Sequence, residues 1–204
     1  MLELTEERVV PKLMKPTNGM LLEHLARYYF ATPYIYGRVL DIACGAGYGC
    51  HMIAKERKRE VTEVIGVDID PITIRYANRE YNHPKIEFRV GDCTDPNLPE
   101  QLGMFETIIS FETVEHIEDD QQFIENVYQM LSPGGKFIIS SPFGQGRGKP
   151  TTEPFHVHQL TQQEFEELFT AFSSVEFYYQ RGVTFEKTQR EGVKYYIGMA
   201  VCTK

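Results

Sequence analysis

The chain has 204 residues, of which 42% are hydrophobic and 25% charged, as expected for one soluble globular domain. Its net charge of −8 argues against general binding to nucleic acids, which depends on Lys and Arg. The charged N-terminus has no apolar signal-peptide core, and no apolar run approaches the ~20 residues of a membrane helix. The four cysteines show no CxxC or disulfide spacing, so we expect a cytoplasmic protein without a membrane anchor.

Predicted strands and helices alternate along the chain. Apolar runs predict strands over residues 38–43, 64–70, 86–90, 105–111, 135–141, 175–180 and 193–203. Helical spacing and end signals predict helices over residues 18–30, 47–58, 71–81, 121–135 and 161–172. This order predicts an α/β fold with a doubly wound, mostly parallel seven-stranded sheet, helices on both faces and one antiparallel C-terminal strand.

Ligands of such sheets bind at the carboxyl ends of the strands, so the loops that follow strands are the candidate site. Gly45, Gly47 and Gly49 predict a tight turn whose backbone N–H groups approach a ligand at a helix start. Their GxGxG spacing differs from the GxGxxG of dinucleotide-binding loops, and Asp41 nearby is a poor neighbour for a pyrophosphate. These features argue against an NAD-dependent oxidoreductase.

Carboxylates follow the next two strands. Asp68 ends the second strand, where it can accept hydrogen bonds from both hydroxyls of a ribose. Asp92 and Cys93 follow the third strand and can reach the edge of a base. The three loops together predict a site for a nucleoside whose 5′ substituent is positive or neutral.

The stretches VLDIACGAGYG, GVDID, GDC and SFETVEHIED…LSPGGKFIISSP resemble class I methyltransferases that use S-adenosylmethionine (SAM). The resemblance spans roughly residues 20–180 and extends to a broad bacterial subgroup with an FExxEH motif after the fourth strand. It implies SAM as the cofactor and a small-molecule acceptor. By this resemblance the cofactor contacts are expected from Asp41, Ala43, Gly45, Gly47, Asp68, Ile69, Gly91, Asp92, Cys93 and Phe111.

The resemblance places the segment after the fourth strand between cofactor and acceptor. His116 is the candidate general base, because unperturbed histidine titrates near neutral pH, and Glu112 is the alternative. Helical spacing would put Glu112, Glu115 and His116 on one face. Substrate contacts are expected from His156, His158, Arg147, Arg27 and Tyr28. The domain is expected to span residues 1–204, with a helical cap over 1–32 and an acceptor-side loop over 142–160.

Two alternatives stay open. The cluster Glu112, Glu115, His116 and either His156 or His158 also resembles the metal-ligand set of methyltransferases that modify the 2′-hydroxyl at small-RNA 3′ ends. Two carboxylates and imidazoles would suit manganese, iron or zinc. We expect no RNA substrate, because the chain is acidic, and we expect a metal-free acceptor site. The second alternative is a SAM-binding protein without catalysis. Oligomeric state, acceptor identity and the methylated atom are not predicted.

Overall fold

The computed structural model describes residues 8–151 and 153–204, so residues 1–7 of the expected cap lie outside the described part. Within those ranges the chain forms one eight-stranded sheet. The strands are β1 (Gly37–Ile42), β2 (Val61–Asp68), β3 (Ile86–Val90), β4 (Phe105–Phe111), β5 (Leu131–Pro142), β6 (Ser174–Arg181), β7 (Thr184–Glu186) and β8 (Ile197–Thr203).

The strand order is β3-β2-β1-β4-β5-β8-β6-β7. The pairs β2–β3, β1–β2, β1–β4 and β4–β5 are parallel, whereas β8 lies antiparallel to both of its neighbours, β5 and β6. This arrangement confirms the predicted fold class with its antiparallel C-terminal strand. One short strand, β7, is additional: it forms a hairpin with β6 at the sheet edge, where three residues are too few to leave a periodic signal.

The helices are α1 (Gly19–Ala31), α2 (Tyr48–Glu56), α3 (Pro71–Glu80), α4 (Leu98–Leu102), α5 (Asp120–Met130) and α6 (Gln162–Glu167). Asn18 caps α1 through the Leu21 N–H, and the Thr161–Glu164 capping box begins α6 as predicted. The sequence did not predict the single turn of α4, and α6 ends earlier than the expected residue 172. None of the helices in the described ranges has the length and apolarity needed to cross a bilayer.

Alternate strand residues pack on opposite faces of the sheet, which gives two apolar layers. Val39 and Ile109 pack on one face with the inner sides of α1, α2 and α3. Leu40 and Ile108 pack on the other face with α4, α5 and α6. Because both faces are covered by helices, the polar loops after β1 to β5 are left at the carboxyl edge of the sheet.

Candidate active site

The glycine loop after β1 turns through left-handed backbone conformations. Ala43, Gly45 and Gly47 have φ of 59°, 53° and 84°. A Cβ built on Gly45 meets no atom of the described residues within 4 Å, so among these residues its backbone faces open space. A Cβ on Gly47 would lie 2.7 Å from the Phe88 ring, and one on Gly49 would lie 2.0 Å from the Tyr28 ring. Gly45 therefore presents backbone to a ligand, whereas Gly47 and Gly49 permit close packing of α2.

Asp68, at the end of β2, is fixed by backbone donors. The Gly45 N–H donates to its Oδ2 at 2.9 Å, and the Asp70 N–H donates to its Oδ1 at 2.9 Å. Burial raises the pKa of this carboxyl above its ordinary value, while the two backbone donors act in the opposite direction. The same carboxylate thus orients the glycine loop and borders the open space in front of it.

Asp41 is buried beneath the glycine loop and does not border the open space that Gly45 and Asp68 face. It is 1% exposed, and it accepts hydrogen bonds from the Tyr28 hydroxyl at 3.1 Å and the Cys50 thiol at 3.3 Å. Burial raises its pKa to about 7, despite these two donors. The structure therefore places Asp41 beneath the glycine loop, in contact with the side chains that pack the loop.

A cavity of about 1040 Å³ opens at the carboxyl edge of the sheet. It is large for a small-molecule site, which usually measures about 300–1,000 Å³. Thirteen of the residues predicted for cofactor, acceptor or catalysis line it: Arg27, Tyr28, Ala43, Gly45, Asp68, Ile69, Gly91, Asp92, Cys93, Phe111, Glu112, His116 and His156. Four do not line it: Asp41, Gly47, Arg147 and His158.

Helix α1 forms the roof of this cavity. Its Arg27 is 1% exposed, and its Nε donates to the Gln180 Oε1 at 2.6 Å. Among the described residues, the Arg27 Nη1 has no hydrogen-bond partner, although the atom is buried. Burial, and then Arg27, lower the pKa of His24 to about 3, so the imidazole of His24 is neutral at neutral pH.

Glu112 does not share a helical face with Glu115 and His116, contrary to the spacing argument. It has a φ of 52°, and only Val114–His116 form a single 3-10 turn after it. The Ser140 hydroxyl donates to the Glu112 Oε1 at 2.7 Å, and the Arg27 Nη2 lies 3.7 Å from its Oε2. A non-glycine residue in this conformation is strained, which is typical of functional positions.

Glu115, His116 and His156 come together at the opposite end of the cavity. One potential ligand atom from each lies within 4.8 Å of the others. The His116 Nδ1 donates to the Phe155 carbonyl at 3.0 Å, which leaves its Nε2 for other contacts. Glu115 is 1% exposed, and its backbone carbonyl accepts from the Val157 N–H at 2.9 Å. The alternative metal-ligand set with His156 had four members. Three of them, Glu115, His116 and His156, lie together, and Glu112 lies apart.

Arg147 and His158 surround a different carboxylate. Arg147 forms an ion pair with the buried Asp120, and the His158 Nε2 lies 3.6 Å from the same carboxylate. The His158 Nε2 also lies 3.1 Å from the Val114 carbonyl. These contacts join the loop after β5 to α5 outside the cavity.

Two further residues matter that the sequence did not single out: Gln180 orients Arg27, and Ser140 orients Glu112. Each is distant along the chain from the residue it orients, by 153 and 28 positions. No local pattern carries such a signal. Ser140 lies within an apolar strand. A hydroxyl at such a buried position needs a hydrogen-bond partner, and this is the one sequence feature that could have pointed to Ser140.

Comparison with known proteins agrees with this architecture. The curated relatives include a probable SAM-dependent methyltransferase of Mycolicibacterium smegmatis, 34% identical over 82% of this chain and 63% of its own length. A Mycobacterium tuberculosis relative described in the same way is 29% identical, again over 82% of this chain but 59% of its own length. Phosphoethanolamine N-methyltransferase 1 of Zea mays is 35% identical over 57% of this chain and 22% of its own length. The chain thus spans about 60% of the first two relatives.

Solved structures share the fold. A SAM-dependent methyltransferase from Archaeoglobus fulgidus superposes with a TM-score of 0.66, at 17% identity, over 92% of this chain and 95% of its own. A putative methyltransferase solved with the Trm112 activator of Haloferax volcanii gives a TM-score of 0.68, at 15% identity, over 91% of both chains. The family model described as "Methyltransferase domain" matches residues 36–195. The chain therefore belongs to the methyltransferase-domain family.

Proposed function

We propose that this protein transfers a methyl group from SAM to a small-molecule acceptor. The observation that carries the proposal is the cavity in which the open backbone of Gly45 and the carboxylate of Asp68 face the same space. A nucleoside needs this pairing of a close backbone approach with a carboxylate for its ribose hydroxyls. Family membership and the SAM-dependent relatives support the choice of SAM over other nucleosides.

The residues present fit SAM. Asp68 would hold the ribose, and Cys93 with Ile69, which is 66% exposed, would border the adenine. The buried Arg27, whose Nη1 has no hydrogen-bond partner among the described residues, would receive the carboxylate of the methionine part. In this proposal Asp41 supports the glycine loop from below. Gly47 lets the loop and α2 pack closely against Phe88.

SAM supplies an electrophilic methyl group, so the protein has to align the acceptor, exclude water and accept a proton where the acceptor carries one. Helix α1 lines the cavity and would help to exclude water once the cofactor and acceptor are bound. Glu112, held by Ser140 and Arg27, keeps the boundary between the cofactor and acceptor ends rigid. His116, whose Nδ1 is engaged with Phe155, can offer Nε2 to an acceptor hydroxyl or amine as the proton-accepting group.

The acceptor is a small molecule in this proposal. Relatives are named for N-methylation of phosphoethanolamine and of norajmaline, which supports acceptors of this size. His156 and Phe155 of the acceptor-side loop line the cavity and would contact the acceptor. Arg147 and His158 would fasten that loop rather than touch the acceptor, because both engage Asp120.

The test is equilibrium titration of the full chain with S-adenosylhomocysteine (SAH) and, separately, with NADH. We expect one SAH per chain, no NADH binding, and SAH binding that is strongly weakened in Asp68→Ala but intact in Glu87→Ala, an exposed carboxylate of β3. An acceptor screen with labelled SAM then covers small hydroxyl and amine compounds and short RNA 3′ ends. Preferential NADH binding would overturn the proposal. SAH binding without transfer to any acceptor would favour a binding protein.

A further inference from the structure

We propose that His24 and Gln180 make the cavity selective for nucleosides that carry the α-carboxylate of SAM. His24 acts as a second donor to that carboxylate beside Arg27, and Gln180 is the residue that positions Arg27. This inference rests on the proposed use of SAM and deepens it. Neither His24 nor Gln180 belongs to the motifs on which the resemblance depends.

One face of α1 is turned toward the cavity. Five of its residues line the cavity at the spacing of a single helical face: Met20, Glu23, His24, Arg27 and Tyr28. The Tyr28 ring fixes this face, because it packs edge-on against Phe111 at 5.0 Å and fills the space that a Cβ on Gly49 would need. His24 and Arg27 are therefore neighbours on a helix face that is held close to the glycine loop.

The guanidinium of Arg27 has one buried donor to offer a ligand. Its Nε donates to the Gln180 Oε1 at 2.6 Å, and its Nη2 lies 3.7 Å from the Glu112 Oε2. Its Nη1 is buried without a hydrogen-bond partner among the described residues, and a buried donor in that state costs free energy. An anionic oxygen in the cavity satisfies this donor. The α-carboxylate is the one anionic group of SAM.

Gln180, in β6, holds the guanidinium in this orientation. It is 4% exposed and does not line the cavity, so it acts on a ligand through Arg27. Its Nε2 donates to the carbonyls of Glu23 at 3.1 Å and Gly182 at 2.7 Å, which leaves its Oε1 for the Arg27 Nε. Rotation of the amide by 180° would bring donors against donors, so these contacts fix one orientation of the amide.

His24 presents a neutral donor beside this cation. Its Nδ1 lies 3.3 Å from the hydroxyl of Tyr48, which has no other hydrogen-bond partner among the described residues. The hydroxyl therefore donates to Nδ1, and the proton of the neutral ring is on Nε2. Burial, and then the charge of Arg27, lower the pKa of His24 to about 3, so the ring stays neutral and does not repel the guanidinium.

A charged donor and a neutral donor on one helix face suit a carboxylate. One oxygen accepts from the Arg27 Nη1, and the other accepts from the His24 Nε2. A nucleoside that lacks the carboxylate leaves the Arg27 Nη1 buried and unpaired. The cavity therefore rejects such a nucleoside through the free-energy cost of that unpaired donor.

Calorimetric titration of the full chain with two nucleosides tests the inference. One is SAH, and the other is 5′-deoxy-5′-(3-aminopropylthio)adenosine, which is SAH without its carboxylate. We expect the wild type to bind SAH at least about 100-fold more tightly, because each hydrogen bond to a charged group contributes a factor of about ten or more. His24→Phe and Gln180→Leu should each weaken SAH binding about tenfold and leave binding of the second nucleoside within about twofold of wild type.

Two further measurements separate these roles from general damage to the cavity. His24→Gln keeps an N–H group and should restore most of the SAH affinity that His24→Phe loses. Gln180→Leu should cause no further loss of SAH affinity in an Arg27→Met background, because its effect passes through Arg27. The matched controls are His51→Phe and Gln163→Leu, which make the same substitutions outside the cavity and should bind both nucleosides like the wild type.

Similar wild-type affinities for the two nucleosides would overturn the inference and leave the proposed use of SAM intact. Equal losses for both nucleosides in His24→Phe would refute the role of His24. A further loss from Gln180→Leu in the Arg27→Met background would refute the positioning role. Failure of the wild type to bind SAH would refute the proposed function itself. Binding of the second nucleoside by a variant also shows that the variant is folded.

Discussion

The two ends of the cavity are held together in different ways. The glycine-loop end, formed by residues 43–49, 68–70 and 91–93, relies on backbone donors to a carboxylate at the end of the neighbouring strand: Asp68 accepts from Gly45 and Asp70. The histidine end, formed by residues 113–116 and 153–158, relies on contacts between distant segments, such as His116 with Phe155. The first end is formed by turns that directly follow two paired strands, β1 and β2, whereas the second depends on where a long loop is placed.

This difference predicts where substitutions act. Changes at the glycine-loop end should alter loop geometry, stability and cofactor affinity together. Changes at the histidine end should leave cofactor affinity intact and alter only what the acceptor side binds.

The largest effect is expected from the buried carboxylate beneath the glycine loop. Because burial raises the pKa of Asp41 to about 7, the folded protein holds a proton between about pH 4 and 7 that the unfolded chain has released. Rising pH therefore costs wild-type stability in this window, and Asp41→Asn avoids that cost. The unfolding free energy of the variant relative to wild type should rise by about 3 kcal/mol from pH 5 to 8, measured by urea denaturation. A difference independent of pH would contradict this explanation.

The next largest effect is a loss of SAH affinity when Asp68 is replaced. Asp68→Ala removes a carboxylate that would accept from the ribose and that already holds Gly45. Hydrogen bonds to charged groups contribute about 1.5–3 kcal/mol each, so SAH affinity should fall about 100-fold by calorimetric titration. His156→Ala serves as the contrasting variant, with SAH affinity close to wild type. Equal losses in the two variants would erase the distinction between the two ends.

Two glycines of one loop should differ in how strongly their substitution weakens SAH binding. Gly49→Ala places a Cβ against the Tyr28 ring, so we expect a stability loss of about 1–3 kcal/mol from overpacking. The methyl group of Gly45→Ala meets no atom of the described part of the chain within 4 Å, and the φ of 53° costs only about 1–2 kcal/mol, but the new group projects into the cavity. SAH affinity should therefore fall more in Gly45→Ala. Urea denaturation and SAH titration of both variants provide the measurement.

The smallest effect is expected outside the cavity. Arg147→Ala breaks an ion pair with Asp120 in which the arginine side chain is 36% exposed, and His158 stays near the carboxylate. We expect a stability loss of at most about 1 kcal/mol and SAH affinity within about twofold of wild type. A large loss of SAH affinity would mean that the acceptor-side loop contributes to the cofactor site.

The sequence predicted the fold and the glycine-loop end because both depend on short-range signals. Apolar runs of strand length, the GxGxG spacing and single aspartates after strands translate directly into a sheet edge with Asp68 beside Gly45. The histidine end was predicted in composition but not in geometry. Helical spacing suggested that Glu112 shares a face with His116, yet its left-handed backbone turns it toward Ser140 and Arg27.

Long-range placement explains the other differences. Whether His156 or His158 faces the cavity depends on the path of a loop tied to α5 through Asp120, and no local pattern encodes that path. Arg147 was expected to contact the substrate because it belongs to the acceptor-side loop predicted over residues 142–160. In the structure it forms an ion pair with the buried Asp120 and does not line the cavity.

The most direct test of the central claim is a structure of the full chain with SAH bound. The account predicts the ribose at Asp68, the adenine between Ile69 and Cys93, and the sulfur close to Phe111 and Glu112, with the space beside His116 and His156 left for the acceptor. SAH bound elsewhere, or an adenine directed toward the histidine end, would contradict it.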